Sequence, residues 1–180
     1  MRVIAGEARG TRLVRPPGGT RPLSDRAREG LFSSLGGRVD GAACLDLFAG
    51  TGSIGIEALS RGASSCRFVE RNPVAIRALR RNLGHTRLEA RSRITRGDVE
   101  RFLGRTNERY DLAFLDPPYA LARVRLRAIL ESLGSPLGLG GAFALHLPRR
   151  TSTDVIPLDF EIRRRLTYGD TLILICGSRS

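Results

Sequence analysis

The sequence predicts an α/β fold: a mostly parallel sheet with helices on both faces, preceded by an N-terminal β-hairpin extension. Three observations carry that prediction. Apolar strand-like runs alternate with helix-like segments from residue 43 onward, the pattern that builds a parallel sheet through helical crossovers. A glycine-rich turn joins the first of those strands to the helix after it. Of the 180 residues, 41% are hydrophobic and only 6% aromatic. A chain of this size buries roughly 70% of its unfolded surface, so the core is substantial and aliphatic.

The elements follow in order. Residues 2–5 and 11–14 are short apolar-rich segments around a turn, which predicts a hairpin. Pro16-Pro17-Gly18-Gly19 is a loop signal. Ser24 caps a helix with apolar positions Ala27, Leu31, Phe32 and Leu35, ending at Gly36-Gly37. Strands are expected at 43–48, 66–70, 92–96, 112–115 and 142–147. Helices are expected up to about residue 61, from Asn72-Pro73 to about 83, over 99–103 and over 121–133. Asn72 serves as N-cap and Pro73 as first helical residue. Residues 162–166 and 171–175, joined around Gly169-Asp170, predict an antiparallel pair. This divides the chain into an extension over 1–22 and a body over 23–180. Ligands of such sheets bind beyond the C-terminal strand ends, where the motifs fall.

The charge is unusual. Thirty basic residues, every one Arg, stand against 18 acids for a net +12. Arg forks pair bidentately with phosphate and stack on bases. A strongly basic domain predicts a polyanionic partner, most often nucleic acid. Residues 1–28 hold seven arginines against Glu7 and Asp25. Arg2, Arg9, Arg12, Arg15, Arg21 and Arg26 are the candidate RNA contacts. The arginines from Arg77 to Arg109 are expected mainly on a solvated face. No apolar run nears the ~20 residues that span a bilayer. The first residues lack a signal-peptide core, so a cytoplasmic location is expected. Cys44, Cys66 and Cys176 are far apart without a C-x-x-C, which argues against a zinc site and a disulfide framework.

Asp46 to Gly55 holds G-x-G-x-x-G directly after a strand and before a helix. Phe48, Ala49, Gly50, Thr51 and Gly52 form the loop, where glycines let a ligand approach the backbone and the helix offers free N–H groups. The motif alone suits a dinucleotide equally well. Glu70, followed by Arg71, closes the second strand and can accept both hydroxyls of a ribose. Asp46 tilts the balance, because an acid there suits an ammonium group and sits poorly beside a pyrophosphate. It can also act as a loop cap. Asp98 and Val99 can meet an adenine amine and ring nitrogen, or Asp98 can cap the helix, and the roles coexist.

Asp116-Pro117-Pro118-Tyr119, delivered by an apolar strand, is the most specific feature. Prolines stiffen the turn and leave carbonyls free. The chemistry that uses this is methyl transfer to an exocyclic base amine, whose lone pair is delocalised into the ring. The Asp116 carboxylate and Pro117 carbonyl can accept its two N–H bonds, and Tyr119 can stack on an extruded base. His85 ends a helix where a cation suits the dipole. His146, on a predicted strand, is expected to be structural rather than catalytic.

At these residues the chain resembles class I S-adenosylmethionine-dependent methyltransferases of the D-P-P-Y type, most closely the RsmD family. Residues 2–6, Arg9-Gly10, Arg21-Pro22, Asp25-Arg26, Arg28-Glu29, Leu31-Phe32, the glycine loop, Asp116–Tyr119 and residues 168–171 carry the likeness. Ser24 departs from the expected Thr but can still cap. The resemblance implies a Rossmann-like seven-stranded sheet of order 3-2-1-4-5-7-6 with strand 7 antiparallel. It implies S-adenosylmethionine as cofactor and N2-methylation of one guanine in 16S rRNA. It further implies the small subunit or its assembly intermediate as partner, and a monomer. A DNA amino-methyltransferase, an NAD-dependent oxidoreductase and a non-enzymatic RNA-binding protein are the alternatives. The first lacks room for a target-recognition region, the second leaves Asp116–Tyr119 unexplained, and the third leaves the cofactor loop unexplained.

Overall fold

The computed structural model describes residues 1–15 and 23–179. Arg21 and the loop signal at residues 16–19 lie outside the described residues. Seven strands form one sheet in the order β3-β2-β1-β4-β5-β7-β6. They are β1 (Ala43–Leu47), β2 (Ser65–Glu70), β3 (Ser92–Arg96), β4 (Tyr110–Leu115), β5 (Leu137–Pro148), β6 (Phe160–Tyr168) and β7 (Thr171–Ser178). The pairings β1–β2, β2–β3, β1–β4 and β4–β5 are parallel. Strand β7 runs antiparallel to both β5 and β6. Strand order and direction agree with the expected fold.

The helices are α1 (Asp25–Leu35), α2 (Ser53–Ser60), α3 (Pro73–Thr86), α4 (Val99–Leu103) and α5 (Arg123–Leu133). Strand side chains alternate between two buried clusters, one per sheet face. Cys44, Leu112, Phe114, Ala142 and Ala144 meet Leu31 and Phe32 of α1, Ile56 and Leu59 of α2, and Leu79 of α3. Leu45, Leu47, Ala113, Leu115, Phe143 and Leu145 meet Val99 of α4 and Ile129, Leu130 and Leu133 of α5. Buried on both faces, the central strands read as continuous apolar runs.

Local chemistry sets the helix starts. The Ser24 hydroxyl accepts from the Ala27 N–H at 3.2 Å. The Asn72 side chain accepts from the Val74 N–H at 2.8 Å, with Pro73 at the first helical position. Strand β5 begins five residues earlier than expected, taking in Gly138, Gly140 and Gly141. Its start is fixed by tertiary pairing of Leu137 with Tyr110, across a register shift. That pairing leaves no local signature in a glycine-rich stretch.

The N-terminal segment is a narrower ladder than the expected hairpin, with one antiparallel bridge between Arg2 and Arg12. The Val3 N–H donates to Thr11, Gly10 to Val3 and Leu13 to Met1, at 2.9–3.1 Å. Val3, Ala8 and Leu13 are buried in the same cluster as α1, α2 and α3. The C-terminal end of α2 grips this arm. Ser60 Oγ donates to the Ala5 carbonyl and accepts from the Ala8 N–H, and its carbonyl accepts from Glu7. A Cβ on Gly6, at φ +83°, would lie 1.7 Å from the Ser60 oxygen, so only glycine fits.

Two further residues tie the arm down. Asn82 of α3 is fully buried. Its oxygen accepts from the Val14 N–H, and its amide donates to the carbonyls of Val14 and Thr51. One side chain thereby links the arm to the glycine loop. Arg28 is also fully buried, bonded to the Arg2 carbonyl and to Asp25, with Glu57 Oε2 3.7 Å from its Nε. It is a structural cation, whereas Arg2, Arg9, Arg12, Arg15 and Arg26 are exposed.

Candidate active site

A cavity of about 730 Å³ opens at the C-terminal ends of β1, β2, β3 and β4, within the size range of small-molecule sites. Of the expected cofactor residues, Phe48, Ala49, Gly50, Thr51, Glu70, Arg71, Asp98 and Val99 line it. Asp116, Pro117, Pro118 and Tyr119 line the same cavity, so both motifs face one space. Arg15, placed by its charge among the RNA contacts, also lines it. Sequence reasoning missed Ser53, Asn72, Val74, Ala75, Arg125 and Ile129. The first four flank motifs already recognised, whereas Arg125 and Ile129 arrive from α5 with no local signal.

The glycine loop is built by backbone bonds and two acids. Phe48 adopts φ +59°, uncommon for a residue with a side chain, and this turns the chain sharply after β1. The Ala49 N–H donates to the Val69 carbonyl and Gly52 to Ala49. Gly52 is left-handed at φ +81°, and a Cβ there would meet Leu79 at 2.2 Å. Gly52 therefore shapes the turn and is not among the residues lining the cavity. Glu70 braces the loop from β2, accepting from Gly50 N–H through Oε2 and from Asn72 N–H through Oε1, both at 2.8 Å. Each oxygen keeps lone-pair capacity for a ligand hydroxyl.

Asp46 lies behind the loop, 1% exposed and not among the lining residues. Its Oδ2 accepts from the Gly55 N–H at 2.9 Å. The structure thus gives it the loop-bracing position. Burial pushes its carboxyl well above the usual range, the Gly55 bond opposes this, and the negative fields of Asp116 and Glu70 add to it. Three carboxylates converge on this edge. These acids fit a ligand carrying ammonium and sulfonium charges, and Arg15, Arg71 and Arg125 line the same cavity. S-adenosylmethionine carries those charges, so the residues present fit it.

Asp98 caps α4, its Oδ1 accepting from the Glu100 and Arg101 N–H groups. Val99 is the first residue of that helix, where an N–H has no intrahelical acceptor. Arg125 is engaged with both oxygens of Glu100 at 3.0 and 3.1 Å.

On the other side of the cavity, Asp116 continues β4 with its side chain 27% exposed. Pro117 is buried, and its carbonyl receives no hydrogen bond from the described residues. The Pro118 carbonyl closes a turn by accepting from Leu121. Tyr119 is 67% exposed, a large ring at the mouth. His146 of β5, expected to be structural, brings Nδ1 to 2.6 Å from Asp116 Oδ1. No cysteine lines the cavity, and burial pushes the Cys44 and Cys176 thiols up to about 12. No helix among the described residues is long and apolar enough to cross a membrane.

The Bacillus subtilis (strain 168) protein named "Putative rRNA methyltransferase YlbH" is 36% identical over 183 residues, covering 99% of this chain and 100% of that one. The Escherichia coli (strain K12) Ribosomal RNA small subunit methyltransferase D is 37% identical over 120 residues, 66% of this chain and 60% of its own. Among solved structures, Escherichia coli yhhF superposes with TM-score 0.88 at 28% identity, covering 99% of this chain and 97% of that one. Residues 1–177 match the family model described as Conserved hypothetical protein 95, and the chain belongs to that family, the RsmD-type methyltransferases.

Proposed function

We propose that this chain transfers a methyl group from S-adenosylmethionine to the exocyclic N2 amine of a guanine in small-subunit ribosomal RNA. The observation that carries the reading is the Asp116–Tyr119 turn at the mouth of the acid-edged cavity. The names of the Escherichia coli and Bacillus subtilis relatives support rRNA as the substrate class.

Phe48 to Thr51, Glu70, Arg71, Asp98 and Val99 would hold the cofactor, with Gly52 shaping the loop and Asp46 supplying negative charge from behind it. When bound, S-adenosylmethionine supplies an electrophilic methyl carbon on a sulfonium sulfur that departs as a neutral thioether. The Asp116 carboxylate and the unengaged Pro117 carbonyl accept the two amine N–H bonds and aim the nitrogen lone pair inward. Tyr119 stacks on the extruded base, and its exposure fits a ring waiting for a partner. Asp116 is placed to hold the proton that the amine sheds. Positioning and electrostatics account for most of the acceleration in such a site.

The arm over residues 1–22 is the proposed RNA contact. Its exposed arginines Arg2, Arg9, Arg12 and Arg15, with Arg21 and Arg26, orient the substrate by phosphate contacts that carry no sequence information. Arg15 lies where the arm meets the cavity, so it joins phosphate binding to the target pocket.

Replacing Asp116 by Ala tests the reading. Methyl transfer to unmodified small subunits should fall at least about 10²-fold, while calorimetry shows cofactor affinity within about twofold of wild type. Near-normal turnover of D116A would overturn the assignment.

A further inference from the structure

His146 is a buried group behind Asp116 that the chemistry above leaves unused. It is 5% exposed. Leu115 pairs with Leu145 across β4 and β5, so the next position along sets Asp116 beside His146 on one sheet face. On the other flank His146 pairs with Ile173 of β7, which is apolar. Nδ1 lies 2.6 Å from Asp116 Oδ1, while Nε2 is buried with no hydrogen-bond partner among the described residues. The Tyr119 ring meets the imidazole edge-on, with centroids 6.0 Å apart.

Beside an ionised Asp116, these contacts favour one tautomer. An ionised carboxylate only accepts, so the 2.6 Å contact requires the proton on Nδ1. A second proton on Nε2 would bury a cationic donor without an acceptor. The bond also decides which oxygen is available. Asp116 Oδ2 has no side-chain or backbone donor among the described residues. The terminal torsion of an Asp is broad and roughly two-fold, so an unheld carboxylate samples many orientations. An exocyclic amine needs one of them.

We infer that His146 is a positioning residue: its Nδ1–H holds Asp116 Oδ1, fixes the carboxylate plane, and leaves Oδ2 to accept the amine N–H. The inference rests on the reading of Asp116 as the amine acceptor. It assigns His146 no bond to the base and no place in the cofactor site. Loss of the Nδ1–H therefore lowers kcat and leaves cofactor affinity alone. An Asn at 146 carries its amide nitrogen at about the distance of Nδ1 and preserves the donor, whereas Leu preserves only bulk.

The test compares H146N, H146L and D116A for kcat and KM on small subunits, cofactor Kd by calorimetry and thermal unfolding. Nitrogen-detected NMR reads the tautomer directly, since only His85 and His146 contribute. H146L should lose about 10²-fold in kcat, the scale of an ångström-sized misplacement. H146N should stay within about threefold, and cofactor Kd within about twofold in both. H146L should cost nothing further in the D116A background. The NMR spectrum of the wild type should show Nδ1 protonated and Nε2 bare, a readout that stands if H146L fails to fold. Three results would overturn the inference: an H146L enzyme with full kcat, an H146N enzyme as damaged as H146L, or a proton on Nε2 with Nδ1 bare. Full turnover by D116A would instead overturn the underlying reading of Asp116, and an inactive D116A beside a fully active H146L would remove only the role of His146.

Discussion

Glu57 and Asp46 are both carboxylates with almost no solvent contact, and their surroundings differ. Glu57, on α2, accepts from Ile4 N–H at 2.8 Å, Ala5 N–H at 3.1 Å and Arg61 Nε at 2.7 Å, with Arg28 at 3.7 Å. Asp46, at the end of β1, accepts from one backbone N–H and feels two other acids. The first acid is neutralised by the fold and holds the arm to the body. The second is left short of positive charge beside a cavity that opens to solvent. A buried acid with donors on all sides stabilises structure, whereas one with a deficit is complementary to a cation that arrives later. The fold thus seats a structural ion network and a ligand field on one short helix, whose Gly55 N–H holds Asp46 and whose Glu57 holds the arm.

The largest expected effect breaks the satisfied side. Glu57→Ala leaves the buried Arg28 with Asp25 as its remaining acid among the described residues, strips Arg61 of its partner and removes the acceptor of two backbone N–H groups. It should cost about 3–5 kcal/mol, read as a lower urea midpoint with unchanged slope. An effect below 1 kcal/mol would mean the network is not what seats the arm.

Asp46→Asn should act in the opposite direction on the free protein. Removing a poorly compensated acid should raise apo stability at neutral pH by about 1–3 kcal/mol and weaken cofactor binding. The sign with pH follows from the raised value of Asp46. Its contribution to stability is full below the unfolded carboxyl range of about 3.9 and is lost as pH rises through the folded value. Asn does not titrate there, so the two proteins converge in acid and separate as pH rises. Thermal unfolding across pH checks this, and a gap that widens in acid would contradict it. An ammonium partner favours the ionised form, so cofactor affinity of the wild type should rise over the same window and that of D46N should not.

The smallest effect concerns the arm. Neutralising Arg9 or Arg12 should weaken RNA binding modestly and reduce the slope of log affinity against log salt by about 0.7 per lost single-strand contact. A slope identical to wild type would place the phosphates elsewhere.

Much of this was legible in the chain itself. Alternation from residue 43 foretold the sheet, and both motifs proved to face one cavity. What escaped was set by contacts between elements. Arg28 entered only as one of the seven arginines of residues 1–28, yet it shares a helical face with Leu31, Phe32 and Leu35, and that spacing signals burial. His146 could be assigned to a strand face, but its neighbour depended on the β4–β5 register, which periodicity does not give. Asn82 was invisible for the same reason, since its partners are 31 and 68 residues away. Asp46 was chosen by its place before the glycines, and the structure sets it behind the loop rather than on the cavity wall.

The most direct measurement is methyl transfer from labelled S-adenosylmethionine to unmodified small ribosomal subunits, naked 16S rRNA and duplex DNA in parallel, with the product nucleoside identified. N2-methylguanosine is expected from the subunits or the rRNA and none from DNA. Methylated adenine or cytosine in DNA, or no transfer to any substrate by a protein that binds the cofactor, would contradict it.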